Sequence, residues 1–487
     1  MSRARWARLR YLCRATALLA LCTAARAGPT LPVGPGPRVD APSDPNRPYV
    51  QELLSSAAPD LCLVLTGPVA LNTGDAPLPA WDARIVALMS GGSPESCSTV
   101  TIAQLRGSLF DSTGFQGFPY PWETRAVFRA PADTAQELRR RGLSMVARAD
   151  AHALDWGIEG MRATSSALDA AGLLHAGTGE REGLARSPAF LDEPHGKGRI
   201  ALVSTATTFR PTSNALAPWG AAPGRPGISA INAEATHYLP DPQRTELLRI
   251  ACRFQSPPDP ARCDQGKTAQ TLTAFGSRFS VAAGADQPYT TRYALNRAQE
   301  TAELRFVREA KQNADLAVFA VSSDQQDRRG PGAGEPSSML VRLAHGAIEA
   351  GADVVVATGT DLLGPIEIYH PPGHPPRAIL YGLGNLYWSP GAGPSGVLPE
   401  LYDALIVRSQ ITGAKIRLEL YPVDLHAPSA GPGAPVLAGG ARARAILDRL
   451  QALSTPYRTE IKIESAGTSF RGVVLVGDEP TPTEGGQ

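Results

Sequence analysis

The stretch "ARADAHALDWG", residues 147–157, gathers side chains that can do chemistry within one short turn. Asp150 and Asp155 are carboxylic acids, and His152 between them carries an imidazole. Carboxylates and an imidazole together can perform acid–base catalysis or bind a divalent cation. The turn overlaps the end of the apolar segment "LSMVARA", so the sequence predicts it at the end of a buried strand.

Strand-like and helix-like segments alternate along the chain around this turn. Strands are predicted at "LCLVLTGPVALNT", "STVTIAQLRGSLFD", "GRIALVSTATTF", "LAVFAVSS", "DVVVATGTD" and "AILYGLGNLYW". Helices are predicted from Asp133 to Gly142, with Gln136 completing a capping box, then after residue 157, and over "NRAQETAELRFVREAKQNAD" and "SSMLVRLAHGAIEAGA". This alternation favours a layered α/β core.

The alternation is interrupted once and changes towards the C-terminus. Residues 210–293 contain loop-forming segments such as "RPTSNALAPWGAAPGRPG", which predict an irregular insertion. Residues 401–424 alternate like a β-hairpin, and the extension 427–487 contains a helix at "ARARAILDRLQAL" and a short strand at "RGVVLVG". The last residues, "DEPTPTEGGQ", are predicted to be disordered.

The N-terminus has the features of a secretory signal peptide. Several arginines precede the apolar run "ATALLALCTAA", and Ala25-Arg26-Ala27 forms a small-x-small cleavage site. We therefore assign residues 1–27 to a signal peptide and 28–60 to a linker, and expect the exported protein to be periplasmic or extracellular. Retention of the apolar run as an anchor is the alternative, although a membrane span needs ~20 apolar residues. No later segment has the length and apolar character of a span.

The four cysteines of the mature chain indicate disulfides, because export leads to an oxidising compartment. Of the three possible pairings, we favour Cys62 with Cys97 and Cys252 with Cys263, the second of which closes the loop "CRFQSPPDPARC". A zinc site is the alternative, but none of these cysteines has a CxxC partner.

The order of these segments resembles the CapA family of exported, metallophosphatase-like proteins, which is associated with capsule and poly-γ-glutamate production. The resemblance is most specific at "ARADAHALDWGIEGM", "GLLHAGTG", "AHGAIEAGADVVVATGTDLLGPIEIY" and "AILYGLGNLYW". It covers most of a predicted domain at residues 61–426. It implies an α/β fold, a four-layer αββα sandwich of the metallophosphatase (calcineurin-like) type, with metal-binding loops at the strand ends.

Most metal-ligand positions that the resemblance implies carry other residues here. Where the family has Gly-Asp, this chain has Gly67-Pro68. The segment that corresponds to the family's Asn-Leu-Glu ends in Arg106, and Ala151 replaces the Asn before the motif histidine. Its Ile-His-x-His corresponds to "VSSDQQD", and its Gly-His-Gly-Pro-His to "TGTD", which ends in Asp361. Of the implied ligands, only His152 keeps its residue type. A two-metal phosphoesterase needs about half a dozen His, Asp, Asn and carboxylate donors, so no dinuclear metal site and no cofactor is predicted.

The resemblance places Asp150, His152, Asp324 and Asp361 in one cleft, with Arg106 nearby. The favoured interpretation is an ion-paired plug, in which Arg106 neutralises one or more of the aspartates, or a set of solvated loop acids. The alternatives are a ligand pocket, a site for a single divalent cation such as Mn²⁺ or Mg²⁺, and acid–base catalysis by His152.

These features favour a non-catalytic member of the CapA-like family, a pseudoenzyme that binds a cell-surface polymer or the polymer-synthesis machinery. The alternative is an active metal-dependent hydrolase with re-sited ligands, acting on a phosphoester or a γ-glutamyl polymer. A structural accessory that binds no polymer is a third hypothesis. The formal net charge of +1 gives no indication of nucleic-acid binding.

Overall fold

Fully buried runs of apolar residues form the central strands of the protein. In the computed structural model every residue of Leu61–Thr66 and of Leu316–Ser322 is buried, as expected for strands that are covered on both faces. The structure describes residues 61–91, 97–120, 127–193, 198–254, 263, 269–283, 288–327, 334–388, 399–412, 415–426 and 433–476. All of them belong to one compact unit, Ser56–Gln487.

The described residues form short helices and many strands. The helices are α1 Ala83–Met89, α2 Thr134–Arg140, α3 Gly157–Ala170, α4 Glu182–Arg186, α5 Asp241–Arg253, α6 Arg297–Gln312, α7 Ser338–Glu349 and α8 Gly440–Ser454, with 3₁₀ helices at Pro399–Tyr402 and Thr455–Tyr457. The strands are β1 Leu61–Thr66, β2 Val69–Ala70, β3 Ser98–Arg106, β4 Ser108–Leu109, β5 Arg129–Ala130, β6 Leu143–Ala147, β7 Leu174–Ala176, β8 Thr178–Gly179, β9 Ala189–Asp192, β10 Arg199–Ala206, β11 Gly227–Ile228, β12 Ala233–Leu239, β13 Thr271–Ala274, β14 Ser277–Val281, β15 Thr291–Leu295, β16 Leu316–Ser322, β17 Val354–Thr358, β18 Ile366–Tyr369, β19 Arg377–Leu380, β20 Asp403–Thr412, β21 Lys415–Asp424, β22 Val436–Leu437, β23 Lys462–Ala466 and β24 Ser469–Val476.

Ten strands form the larger of two main sheets, which we call the large sheet. Its order is β23-β24-β21-β20-β1-β3-β6-β7, with β2 beside β3 and β22 beside β21. Strands β1, β3, β6 and β7 are parallel, whereas β20, β21, β24 and β23 join them as an antiparallel series. Helices α1, α2 and α3 lie in turn between the parallel strands along the chain, as crossover connections require.

Six strands form the other main sheet, which we call the second sheet. Its order is β18-β19-β17-β16-β10-β9. Strands β10, β16, β17 and β19 are parallel, and β9 and β18 pair antiparallel at the two edges. Each main sheet therefore contains four parallel strands, and their carboxyl ends lie at the same edge of that sheet.

The main sheets pack against each other through apolar side chains. Successive residues of a strand point to opposite faces, so each sheet contributes one set of side chains to the space between the sheets and one set to its outer face. The inner cluster includes Leu63, Leu65, Ile102 and Val407 of the large sheet, and Leu202, Val318, Val356 and Leu380 of the second sheet.

Helices cover the outer faces of both sheets. On the large sheet, side chains such as Val64 and Val146 pack with residues of α1, α2 and α3, namely Ile85, Met89, Leu138 and Leu168. On the second sheet, Phe319 and Val355 pack with residues of α6 and α7, namely Val307, Ala310, Leu343 and Ala347. The result is a mixed α/β protein with several mixed sheets, which confirms the α/β class.

Helix α8 contributes to the core between the sheets. Its apolar side Ala443, Ile446, Leu447 and Leu450 belongs to the same cluster as Leu418 and Leu420 of β21. Strand β24 pairs with β21 over Ile416–Leu420. The C-terminal helix and strand that the sequence predicts therefore exist, and both are built into the main body of the fold.

The segment 210–293 is more regular than the irregular insertion that the sequence predicts. It contains α5 and most of a four-stranded sheet with the order β13-β14-β12-β15. The prediction is wrong here because these strands are short and partly exposed. In β13, for example, buried and exposed residues alternate over four positions, which is a weaker signal than a fully apolar run.

Two further local predictions fail. The segment "AILYGLGNLYW" is a strand only as far as Leu380. Beyond it Gly384 has a φ of 63°, and a Cβ at this position would lie 2.1 Å from the carbonyl oxygen of Asp403, so the chain turns there. Asp133 precedes α2 as predicted, but its side chain makes no capping hydrogen bond.

Both predicted disulfides are present. The Cα atoms of Cys62 and Cys97 are 5.7 Å apart, and those of Cys252 and Cys263 are 6.0 Å apart, distances that suit disulfide geometry. The predicted signal peptide, the linker 28–60 and the tail 477–487 lie outside the described residues. Among the described residues, no helix has the length and hydropathy required to cross a membrane.

Candidate functional site

Four polar side chains meet where strands of both main sheets end. Arg106 is the last residue of β3, Asp150 follows β6, Ser322 is the last residue of β16, and Asp361 follows β17. In α/β proteins the carboxyl ends of parallel strands are the usual place for a binding or catalytic site. We call these four residues the strand-end cluster.

Arg106 joins the acids of the strand-end cluster. Its Nη1 lies 2.5 Å from Asp361 Oδ1, and its Nε donates a long hydrogen bond of 3.4 Å to Asp150 Oδ2. The Ser322 hydroxyl donates to the same Asp150 oxygen, also at 3.4 Å. The other oxygen of Asp150 accepts a 2.8 Å hydrogen bond from the His152 backbone N–H. Both oxygens of Asp150 are therefore occupied by donors of this protein.

Burial makes the pairing within the strand-end cluster strong. The side chains of Arg106 and Asp150 are 6% and 1% exposed, whereas Asp361 is 31% exposed. Burial by itself lowers the pKa of Arg106, but the carboxylates of Asp361 and Asp150 more than offset this effect and hold the pKa above its usual value. Arg106 is thus a permanent cation at the strand ends.

The loop after β17 is shaped to bring Asp361 to Arg106. Gly359 has a φ of 117°, and a Cβ there would lie 2.6–2.8 Å from the backbone of Ser323, so only glycine fits this close approach. Asp361 itself has a φ of 61°, a left-handed conformation that aspartate tolerates better than most residues. The ion pair with Arg106 holds the Asp361 carboxylate in place although the backbone of Asp361 is in this less favoured conformation.

A second group of side chains surrounds Asp155 in the same turn. His152 Nδ1 lies 3.0 Å from Asp155 Oδ2, which also accepts a 2.7 Å hydrogen bond from the Phe128 N–H. Arg210 Nη1 lies 2.7 Å from Asp155 Oδ1. Asp155 is fully buried, and His152 is 22% exposed and meets the Phe128 ring edge-on. This carboxylate can orient the imidazole.

The structure separates the predicted site residues into two groups. Arg106, Asp150 and Asp361 come together, whereas the imidazole of His152 turns to Asp155 and only its backbone contacts Asp150. Asp324 does not join them. It is exposed and exchanges hydrogen bonds with Thr208, whose hydroxyl donates to Asp324 Oδ1 at 2.6 Å. Ser322 ends the strand and faces Asp150, and two residues later the chain has turned to the loop that carries Thr208.

Two features of the site are missing from the sequence interpretation. Asp155 is expected only to shape the start of α3, but its Oδ2 contacts His152 Nδ1 and the Phe128 N–H, and its Oδ1 forms an ion pair with Arg210. The spacing His-x-x-Asp within a tight turn is a signal for this pair. No local pattern indicates Arg210, which lies 55 residues further along the chain.

The strand-end cluster does not fit the two-metal centre implied by the family resemblance. A cation pair needs lone pairs from several ligands, but Arg106 fills the space between Asp150 and Asp361 with a guanidinium. The permanent positive charge of Arg106 would also repel a metal ion bound between these two carboxylates. Within the described part of the chain, no group of three or more His, Cys, Asp or Glu side chains is arranged to hold a metal ion.

A small cavity lies between the main sheets, close to the strand ends. Thr66, Gln104 and Thr358 provide its polar lining, and the remaining lining is mainly apolar. Its volume is about 10 Å³, which suits roughly one water molecule. A sugar or amino-acid unit does not fit in this cavity.

Comparison with known families places these residues in context. A family model described as "Bacterial capsule synthesis protein PGA_cap" matches residues 101–389. This span is more than half of the chain and includes Arg106, Asp150, His152 and Asp361. The chain belongs to the PGA_cap family. The match confirms the family inferred from the sequence and links this PGA_cap protein to capsule synthesis.

Several proteins are similar to this PGA_cap chain. The uncharacterized proteins y4sH and y4uA of Sinorhizobium fredii (strain NBRC 101917 / NGR234) are each 32% identical over 406 residues, covering 75% of this chain and 84% of each relative. The PGA biosynthesis protein CapA of Bacillus subtilis (strain 168) is 28% identical over 130 residues, or 26% of this chain and 29% of that protein. A hypothetical protein from Thermus thermophilus, known from a crystal structure, aligns over 77% of this chain and 96% of its own, with 13% identity and a TM-score of 0.29.

Proposed function

We propose that this PGA_cap protein is an exported, non-catalytic accessory of capsule or poly-γ-glutamate-type polymer production. Its fold is a four-layer αββα sandwich of the metallophosphatase type, in which the strand-end metal centre has been replaced. The two packed sheets with helices outside support this fold assignment. The predicted signal peptide supports export, and the family match supports the link to the polymer.

One observation carries the non-catalytic assignment. Arg106 Nη1 lies 2.5 Å from Asp361 Oδ1 and its Nε lies 3.4 Å from Asp150 Oδ2. A dinuclear phosphoesterase uses its metals to activate water and to neutralise charge on the phosphoryl group. A guanidinium can neutralise charge but cannot generate a metal-bound hydroxide. The strand-end cluster is therefore suited to hold the two sheets together and to present a fixed surface to a polymer or to the synthesis machinery.

Metal analysis of the exported, mature protein tests this proposal. We expect less than about 0.1 equivalent of transition metal per chain after gel filtration, and no shift of the melting temperature with added Mn²⁺ or Mg²⁺. We also expect no metal-dependent hydrolysis of a generic phosphoester. One or two tightly held metals per chain, or metal-dependent turnover, would contradict the proposal.

A second candidate function is supported by the pairing of His152 with Asp155. A buried carboxylate on Nδ1 leaves the Nε2 of a partly exposed imidazole to accept or donate a proton. On this reading the protein is a hydrolase with re-sited catalytic groups, acting on a phosphoester or a γ-glutamyl bond. Hydrolysis of a γ-glutamyl oligomer by the wild type but not by His152→Ala would favour this function over the accessory role.

A further inference from the structure

The disulfide between Cys62 and Cys97 lies far from the strand-end cluster, at the opposite ends of the strands. Cys62 is the second residue of β1, and Cys97 immediately precedes β3, the neighbouring parallel strand. Cys62 is completely buried, whereas Cys97 is half-buried. An incoming thiol can therefore reach the Cys97 sulfur more easily than the Cys62 sulfur.

Two hydrogen-bond donors point at the sulfur atoms of this disulfide. Arg408 Nη2 lies 3.0 Å from Cys97 Sγ, and Gln410 Nε2 lies 3.2 Å from Cys62 Sγ and 3.6 Å from Cys97 Sγ. A disulfide sulfur is a weak, neutral acceptor, whereas a thiolate is an anion. A guanidinium beside a sulfur therefore stabilises the reduced thiolate much more than the oxidised disulfide.

The position of Arg408 does not depend on the disulfide. Its side chain is buried, and its Nη1 donates a 3.1 Å hydrogen bond to Glu419 Oε2 on the neighbouring strand β21. Arg417 and Arg471 share the Glu419 carboxylate from the other oxygen, at 2.9 and 3.3 Å. Glu419 therefore fixes Arg408 in place, and the guanidinium remains beside Cys97 when the disulfide is opened.

We propose that Cys62–Cys97 is a thiol–disulfide exchange site, which accepts electrons from a thiol reductant and is stabilised in the reduced form by Arg408 and Gln410. A thiolate attacks Cys97 Sγ, an S–S bond forms between them, and the Cys62–Cys97 bond breaks. Its electron pair leaves on Cys62 as a thiolate, next to the Gln410 amide. A second thiolate then attacks the reductant's sulfur in the mixed disulfide. Cys97 leaves as a thiolate next to Arg408, and the two reductant molecules form one disulfide.

The second disulfide provides a control within the same molecule. Cys252 packs against the apolar side chains of Leu248, Leu272 and Ala274, an environment that does not favour a thiolate. Mutation of Arg408 should therefore leave the reduction of Cys252–Cys263 unchanged.

Equilibration of the full mature protein in glutathione buffers, followed by alkylation and mass mapping of both disulfides, tests the proposal. We expect Arg408→Met to lower the equilibrium constant for reduction of Cys62–Cys97 about tenfold or more, equivalent to about 30 mV. Arg408→Lys keeps the charge and should stay within about threefold of the wild type. In the reduced proteins, iodoacetamide at about pH 6 should modify Cys97 several-fold faster in the wild type than in Arg408→Met.

Equal equilibrium constants in the wild type and Arg408→Met would overturn the proposal, as would equal rates of Cys97 alkylation. Loss of stability in Arg408→Met is measured on the oxidised proteins by thermal unfolding. If Arg408→Met does not fold, Gln410→Leu is the second test. It removes only a neutral donor and should lower the equilibrium constant for reduction of Cys62–Cys97 about threefold. No change in Gln410→Leu would then count against the exchange site.

Discussion

Arg106 and Asp361 are 255 positions apart in the sequence, yet their side chains meet at 2.5 Å and connect the carboxyl end of β3 in the large sheet with the loop after β17 in the second sheet. The contact crosses from one main sheet to the other. Its loss would affect the packing of both sheets at the edge where the strands end.

Arg106→Ala should destabilise the protein by about 3 kcal/mol, because it leaves the buried Asp150 carboxylate without its cation. Chemical denaturation at neutral pH measures the effect. Arg84→Ala is the matched control, since Arg84 pairs with Asp82 at 2.6 Å but is 60% exposed, and an exposed pair contributes under about 1 kcal/mol. Equal losses in the two variants would mean that the strand-end cluster is not a structural ion pair.

Asp155→Ala should cost more stability than His152→Ala. The buried Asp155 carboxylate contacts His152, accepts a hydrogen bond from the Phe128 N–H and forms an ion pair with Arg210, so its removal takes away three interactions at once and should cost about 3 kcal/mol. His152→Ala removes one partly exposed partner and should cost about 1 kcal/mol. Urea unfolding of both variants distinguishes the two effects. The reverse order would show that the imidazole, and not the carboxylate, holds the turn together.

Gly67→Ala should be one of the most damaging single changes near the site. A Cβ on Gly67 would lie 1.7 Å from the Gly384 carbonyl oxygen, so two backbone segments must move apart, at a cost above about 3 kcal/mol. Gly74→Ala is the control, because Gly74 has a φ of 64° but nothing within 4 Å of the added Cβ, and should cost about 1 kcal/mol. Thermal unfolding measures both, and a well-folded Gly67→Ala would disprove the close approach.

Glu303 of α6 should make stability depend on pH. Burial raises the pKa of Glu303 to about 7, although Arg186 at 3.3 Å partly opposes this effect. In the unfolded chain the pKa is near 4.5, so between about pH 4.5 and 7 the folded protein binds the extra proton. The stabilisation from this group is complete below about pH 4.5 and is lost as the pH rises to about 7, by up to about 3 kcal/mol.

Glu303→Gln should remove this dependence, because an amide does not titrate. Unfolding free energies from about pH 4.5 to 8 would then fall less steeply with pH in the variant than in the wild type. Glu309→Gln, an exposed position on the same helix, should follow the wild-type curve. If Glu303→Gln follows it as well, Glu303 titrates normally in the folded protein.

The elements that the sequence predicts best are those whose burial is uniform. Strands such as β1 and β16 are buried throughout and apolar up to their last residue, and so short an apolar run between turns is typical of a buried strand. The strands of 210–293 are half exposed and carry no such signal, and the segment after Leu380 is apolar without being a strand, because its glycines allow the chain to turn. Burial was therefore easier to predict than backbone conformation.

The site was predictable only through the family resemblance. No local pattern brings Arg106, Asp150 and Asp361 together, since they follow three different strands in two sheets. The resemblance does not indicate that the hydrogen bonds of Asp324 go to Thr208, because the partners of a residue two positions past a strand end depend on the path of the loop. The partners of Asp155 depend on a tertiary contact with Arg210, which sequence spacing cannot indicate.

The pairing of β24 with β21 has a consequence for biosynthesis. A chain that is made from its N-terminus exposes β21 as an open sheet edge until residues 469–476 have emerged, and until then α8 has no β24 against which to pack. Open edges and uncovered apolar surface are the features that chaperones bind and that cause aggregation. The large sheet therefore remains incomplete, with β21 at an open edge, until β24 has been synthesised.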